Sequence, residues 1–148
     1  MLNLEYKKQV PFSAKQMFDL VMDIEHYSEF LPWCEKAEIM QRVSDNELVA
    51  DLEIKFKSLK AKYTSTISAI SNPPNYSIDI KSSHMFFNYF ISRWDFIEND
   101  KGSLVIFKFN LKMKLSFFER FLVSSLDTVG NEIVELFTQR AKKLYKIK

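Results

Sequence analysis

The 148 residues predict an α+β fold: an antiparallel seven-stranded sheet wrapped around a long C-terminal helix, with two short helices after strand 1. Three observations carry that reading. Apolar side chains recur at helical spacing through the final third of the chain, and seven strand-like stretches precede it. The connections between successive strands are too short for crossovers, which favours an antiparallel meander.

The helix is the clearest element. Between Phe117 and Tyr145, the residues Phe118, Leu122, Leu126, Val129, Ile133, Phe137, Ala141 and Leu144 follow one another at intervals of three and four, so they form one stripe. At 1.5 Å per residue such a helix spans roughly 43 Å. Ser116 and Glu119 supply a capping box at its start. A stripe of that length needs an apolar surface, and the inner face of the sheet provides one. A sheet curled around a helix encloses a cavity, which makes a ligand container the first functional expectation.

The remaining elements follow in order. Leu4 to Val10 reads as the first strand, stopped by Pro11. Ser13 and Gln16 form a capping box for a short helix whose buried face carries Met17, Phe18, Val21 and Ile24, ending near residues 23–25. His26 to Leu31 makes a further short turn of helix before Pro32, whose ring disfavours helix at the preceding residue. Ala37, Ile39 and Val43 face inward on the second strand. Leu48, Ala50, Leu52, Ile54 and Phe56 then alternate with charged residues, the pattern of a half-buried antiparallel strand. After a turn at Ser58 and Leu59, Ala61, Tyr63, Ser65, Ile67 and Ala69 share one face. Asn72, Pro73 and Pro74 end that strand. Tyr76, Ile78 and Ile80 mark the next, and beyond a break at Ser82–Phe87 comes a strand with Phe90, Trp94 and Phe96 on one face. Asn99 to Gly102 turns the chain, and Val105, Phe107, Phe109, Leu111 and Met113 alternate with lysines and Asn110. This is the layout of a helix-grip, START/Bet v 1-like fold, expected as a single domain over residues 1–148.

Composition narrows the function classes. Apolar residues make up 47% of the chain, yet no run approaches the eighteen or so residues of a membrane-spanning helix, and the first ten residues are charged rather than signal-like. A soluble, intracellular protein is expected. The single Cys34 suits a reducing compartment. Fourteen Phe against two Gly fit a broad apolar interior better than a loop-built polar site. The net charge of +2 is too small to announce nucleic-acid binding. Lysines do cluster at 55, 57, 60 and 62, at 108, 112 and 114, and at 142, 143, 146 and 148; a solvated outer face explains them, and a surface for anionic lipid or ribosomal RNA is the alternative.

Catalytic and metal chemistry find little to work with. A nucleophile requires a base within hydrogen-bond reach, and the chain has only His26, His84 and Cys34 beside scattered carboxylates, with no third orienting group. His26 with Glu25 and Glu29 lacks a second histidine at ligand spacing. Gly102 and Gly130 alone cannot build a phosphate loop. The carboxylates between Glu47 and Glu53 fall on the outward face, leaving the interior without an acid/base pair. No catalytic residue, metal or cofactor is expected.

Four segments carry a family resemblance. Val10-Pro11-Phe12-Ser13-Ala14, His26-Tyr27-Ser28-Glu29-Phe30-Leu31-Pro32-Trp33-Cys34, Trp94-Asp95-Phe96 and Phe137 to Tyr145 resemble the coenzyme Q-binding START-domain family, within the polyketide cyclase/dehydrase and lipid-transport superfamily. That family includes mitochondrial ubiquinone-binding proteins and a bacterial branch named for a ribosome association toxin. The resemblance spans the whole chain, and Tyr-x-x-Phe-Leu-Pro-Trp-Cys is its specific part. At Ser83-His84-Met85-Phe86 the chain departs from the Asp-Gly-Pro-Phe turn common in relatives.

The resemblance implies a ubiquinone-like polyprenyl lipid as ligand, chaperoned to respiratory complexes. Strand alternation places Tyr63, Ser65 and Ile67 on one wall of the interior, Phe90 and Trp94 at its base, and Phe107 and Phe109 beside them. Leu122, Leu126, Val129 and Ile133 form the helix lid. Gly130 beside Val129 leaves room for a ligand or allows close packing. The Tyr63 hydroxyl and Trp94 indole would orient a quinone head group. Tyr27, Phe30, Leu31 and Trp33, with Met85, Phe86 and Phe87 opposite, form a cavity mouth touching the bilayer, or else pack on the helix end as a local core. The expected location is the cytoplasm, peripheral on the inner face of the inner membrane. The alternative function is docking of the lysine face on the large ribosomal subunit to block subunit association, and aromatase/cyclase activity is a third. The oligomeric state is left open.

Overall fold

Seven strands form one sheet in the order β1-β7-β6-β5-β4-β3-β2, every neighbouring pair antiparallel. They are β1 (Leu2–Val10), β2 (Cys34–Ser44), β3 (Glu47–Phe56), β4 (Leu59–Asn72), β5 (Asn75–Ser83), β6 (Phe87–Asn99) and β7 (Gly102–Met113). Between β1 and β2 lie helix α1 (Ala14–Met22) and a 3₁₀ helix (Ile24–Glu29), and the chain closes with α2 (Ser116–Leu144). The computed structural model describes residues 2–56, 59–83, 87–113 and 116–146, with side chains described except at 2, 56, 59, 87–89, 113 and 116–129. The expected capping box at Ser116 and Glu119, and the turn at Ser58, lie outside the described side chains and residues.

The topology follows from short connections. Strands β2 to β7 pair in sequence because each turn is too short to reach anything else. The detour through α1 and the 3₁₀ helix carries the chain across the open side of the sheet, so β1 pairs with β7 while β2 lies at the far edge. Helix α1 is fixed at its start by the predicted capping box: the Ser13 hydroxyl accepts from the Gln16 amide at 3.0 Å, and the Gln16 side chain accepts from the Ser13 amide at 3.0 Å. Ala14, Met17, Leu20 and Val21 are its buried residues. Phe18 packs from the partly buried edge, stacked on Tyr76 with ring centroids 4.9 Å apart.

The turn from β6 to β7 reaches the first corner of the chain. Gly102 has φ of +135°, and its backbone lies so close to the Val10 carbonyl and the Phe12 amide that any Cβ would collide with them. Next to it the buried Ser103 hydroxyl donates to the Phe12 carbonyl at 2.8 Å, and Phe12 itself is fully buried. This contact ties the β1–α1 corner to the sheet.

Two sequence expectations change in the structure, and at Gly130 the second of two alternatives, close packing, holds. Val43, expected inward, is 49% exposed, because register shifts between Ile39 and Gln41 and between Arg42 and Ser44 break the period-two alternation of β2. The α2 stripe ends at Ala141; Leu144 is 51% exposed, and the Tyr145 ring instead packs 6.3 Å from Phe12. Gly130 leaves no room for a ligand, because the Tyr6 ring lies against it. In the described half of α2, Val134, Phe137, Thr138 and Ala141 are buried, and the helix contacts β1, β7 and α1. The Thr138 hydroxyl returns its proton to the Val134 carbonyl at 2.8 Å, which lets a polar residue sit in that face.

Candidate functional site

A cavity of about 130 Å³ lies between the inner face of the sheet and α2. The strands that line it contribute by the same parity rule that buries their inner faces. From β4 come Tyr63, Ser65 and Ile67; from β5, Ile80 and Ser82; from β6, Phe90, Ser92 and Trp94. Leu52 of β3 and Phe107 of β7 stand beside them, and Ile133 and Phe137 of α2 cover them. The 3₁₀ helix and the segment after it close one end with Ile24, Tyr27, Leu31, Trp33 and Cys34.

Aromatic rings make most of the wall. Trp94 lies 4.4 Å from Phe107 and 5.3 Å from Phe137 in ring centroids, and Tyr63 lies 6.4 Å from Phe90. The polar component is a run of hydroxyls. Ser65 pairs with Ser82 across β4 and β5, their oxygens 2.7 Å apart, and Ser92 stands opposite Ile80 on the next strand. Three serines thus cross three adjacent strands on the inner face. Ser65 and Ser92 are 2% and 7% exposed.

No Lys, Arg, Asp, Glu or His is among the described lining residues. The ionisable groups that do line the cavity are held neutral. Burial pushes the Tyr63 phenol well above the usual tyrosine range, and does the same to Tyr27. Burial also raises the Cys34 thiol, which donates to the Lys36 carbonyl at 3.6 Å. A protonated thiol and two protonated phenols hold ligands by hydrogen bonding and packing; they are poorly set for nucleophilic attack or proton abstraction at neutral pH. The carboxylates of β3 face outward: Asp51 accepts from the Thr64 hydroxyl at 2.7 Å and lies 3.7 Å from the Lys62 ammonium.

Most of the sequence-derived cavity residues meet here. Tyr63, Ser65, Ile67, Phe90, Trp94, Phe107 and Ile133 all line the space. Phe109 does not: it is buried behind the wall, 5.8 Å from Phe107 and 6.5 Å from Tyr6. The side chains of Leu122, Leu126 and Val129 lie outside the described ones, as do Met85, Phe86 and the Phe87 side chain of the expected mouth. Of the two readings of Tyr27 and Leu31, a cavity mouth or a local core on the helix end, the structure has the second: they are 9% and 5% exposed and close one end of the space. The Tyr27 hydroxyl donates to the Val21 carbonyl, and its ring meets Phe137 edge-on at 5.4 Å. Phe30 and Trp33 are partly buried beside them. The lining by Ser82, Ser92, Cys34 and Leu52 was not anticipated. Ser92 had a signal in the sequence, being the one polar residue in the inward parity of Phe90, Trp94 and Phe96.

Arg140 of α2 braces the closed end. Its guanidinium donates to Glu29 at 3.2 Å and lies 5.1 Å above the Phe30 ring. Glu29 also lies 3.7 Å from His26, whose other ring nitrogen is 2.7 Å from Asp23. The helix end and the 3₁₀ helix are therefore joined by rings inside and by charges outside.

Comparison with known proteins agrees with this geometry. Residues 10–141 match the family model described as polyketide cyclase/dehydrase and lipid transport. The chain is 33% identical to the ribosome association toxin RatA of Rickettsia prowazekii, covering 99% of this chain and 100% of that protein. It is 26% identical to the mitochondrial coenzyme Q-binding protein COQ10 of Dictyostelium discoideum, covering 95% and 69%. Solved START superfamily and aromatase/cyclase structures share the fold. The Zhui aromatase/cyclase of a Streptomyces species superposes with a TM-score of 0.78 over 96% of this chain and 94% of that one, at 13% identity, a likeness of fold alone.

Proposed function

We propose, on the premise that this chain belongs to the polyketide cyclase/dehydrase and lipid transport family, that it binds a polyprenyl quinone or similar ring-headed neutral lipid and chaperones it to respiratory complexes without converting it. The observation that carries this reading is the character of the cavity: aromatic walls, hydroxyl donors and no charged lining residue among those described. A charged lipid head would lose its hydration there without gaining a counter-charge. A cavity of about 150 Å³ suffices for a bare six-membered ring, whereas drug-sized ligands occupy roughly 300–1,000 Å³. At about 130 Å³ the space is slightly smaller than the first of these, so it would take part of a quinone ring, and the ring's substituents and the isoprenoid chain would extend beyond it. Peripheral contact with the inner face of the inner membrane belongs to the same proposal.

Mass spectrometry of solvent-extracted lipid from the natively purified protein, with Trp94→Lys as control, tests it. A polyprenyl quinone present in the parent and absent from the variant supports the proposal. A parent that is empty and refuses added quinone overturns it.

A second reading has its own observation. The 33% identical relative is named for ribosome association, and Lys142, Lys143 and Lys146 are exposed at the end of α2. Docking of that face on the large ribosomal subunit would weaken steeply with salt, because lysine–phosphate contacts release counterions. Cosedimentation with 50S subunits across a salt series tests it, and salt-independent or absent cosedimentation removes it.

A further inference from the structure

The polar side of the cavity is the sheet. Ser65 of β4, Ser82 of β5 and Ser92 of β6 bring hydroxyls to its described lining, while α2 contributes Ile133 and Phe137. At the closed end the Tyr27 hydroxyl is committed to the Val21 carbonyl and the Cys34 thiol to the Lys36 carbonyl. Strand register gathers the serines into one patch. Ser65 stands opposite Ser82, and Ser92 stands opposite Ile80, which puts Ser92 diagonally across from Ser82 on the same face.

Serines on the covered face of a sheet are unfavourable unless something answers their hydroxyls. Ser65 and Ser82 answer each other, with their oxygens 2.7 Å apart. Ser92 is not answered in this way. At 7% exposure it lines the cavity, and its hydroxyl makes no hydrogen bond to a described residue. Its neighbours on that face are Phe90 and Trp94 along β6 and Ile80 across from it, none of which supplies a hydroxyl or a carboxylate. A buried hydroxyl left without a partner weakens the fold, and an oxygen brought by a guest removes that penalty.

We propose that Ser92, with the Ser65–Ser82 pair beside it, forms the polar subsite of the cavity and takes a ring oxygen of the bound lipid. This rests on the quinone-binding reading above. The oxygen-bearing part of the ring then lies on β4–β6, and its hydrocarbon part faces Ile133 and Phe137 of α2. A serine hydroxyl both donates and accepts. The subsite therefore selects for the presence of an oxygen, carbonyl or hydroxyl, over a hydrocarbon of the same outline.

Calorimetric titration with a decyl-substituted dimethoxy-methyl-benzoquinone and with decyl-pentamethylbenzene, a hydrocarbon of similar outline, in the same detergent tests the inference. Ser92→Ala should weaken binding of the quinone roughly tenfold and leave the hydrocarbon bound as in the parent or more tightly. The double variant Ser65→Ala/Ser82→Ala should show the same selectivity. The urea midpoint of Ser92→Ala should equal or exceed the parent's, since the substitution removes an unanswered hydroxyl; a damaged fold then cannot account for the weaker quinone. Equal loss of both probes, an unchanged quinone affinity or a lowered midpoint overturns the subsite and leaves quinone binding standing. A parent that does not bind the quinone overturns both.

Discussion

The Tyr6 ring of β1 lies against Gly130 of α2, so that a Cβ at position 130 would fall among the ring's Cε2, Cζ and hydroxyl atoms. A glycine in mid-helix is therefore the condition for docking this helix on β1. Removing it separates helix propensity from packing.

Gly130→Ala should destabilise the chain. Helix propensity alone favours alanine by about 1 kcal/mol, but overpacking against a buried ring costs about 1–3 kcal/mol. Urea denaturation should show the variant unfolding earlier. In a Tyr6→Ala background the same substitution should become stabilising. A Gly130→Ala chain more stable than its parent would mean the Tyr6 ring moves aside freely.

Ser103→Ala should cost about 1–3 kcal/mol, because the Phe12 carbonyl loses its donor in a fully buried corner. The urea midpoint reads the loss directly. An unchanged midpoint would show that Ser103 does not secure the β1–α1 corner.

Stability should fall with rising pH through the titration of His26. Its pKa is raised first by the hydrogen bond to Asp23 and then by that carboxylate's charge, with Glu29 adding and Arg140 opposing. A folded-state pKa above the ordinary 6.5 means that the stabilisation is fully present below pH 6.5 and is lost as pH rises through the folded value. Thermal melts between pH 5.5 and 8, a range of about one unit or more either side of the ordinary histidine value, should show this slope. Asp23→Asn should flatten it, and an equal slope in that variant would assign the effect elsewhere.

Cys34 should resist thiol reagents in the folded chain. At 4% exposure, with its pKa raised by burial, the thiol is both inaccessible and protonated near neutral pH. Labelling by a chromogenic disulfide at pH 7.5 should be at least tenfold slower than in urea, and slower still with a ring ligand in the cavity. Fast labelling unaffected by ligand would place the thiol outside the cavity wall.

Much of this architecture was legible because each inner strand obeys one simple rule. On β3, β4 and β7 the parity of Leu52, Tyr63 and Phe107 identifies the inner face, since an antiparallel sheet covered on one side must alternate. The capping box at Ser13 was legible for the same local reason. β2 was misread at Val43 because a bulge shifts parity without any glycine or proline to mark it. For Tyr27 and Leu31 the sequence left open both a cavity mouth and a local core on the helix end. Their burial depends on Phe137, more than a hundred residues further along, and on a Val21 carbonyl free at the end of α1. The serine run was hidden because Ser65, Ser82 and Ser92 come together only through strand register.

The same irregularity of β2 has a bearing on how chains meet one another in a crowded solution. β2 is an outer strand of the sheet and exposes Met40 at 55% and Val43 at 49%, the kind of strand on which a second chain could template and polymerise. Its three register shifts, at 34–36, 39–41 and 42–44, interrupt the even spacing of amides and carbonyls that an incoming strand would need to match. What misled the reading of its inner face is thus the feature that keeps its outer rim from acting as a seed for aggregation.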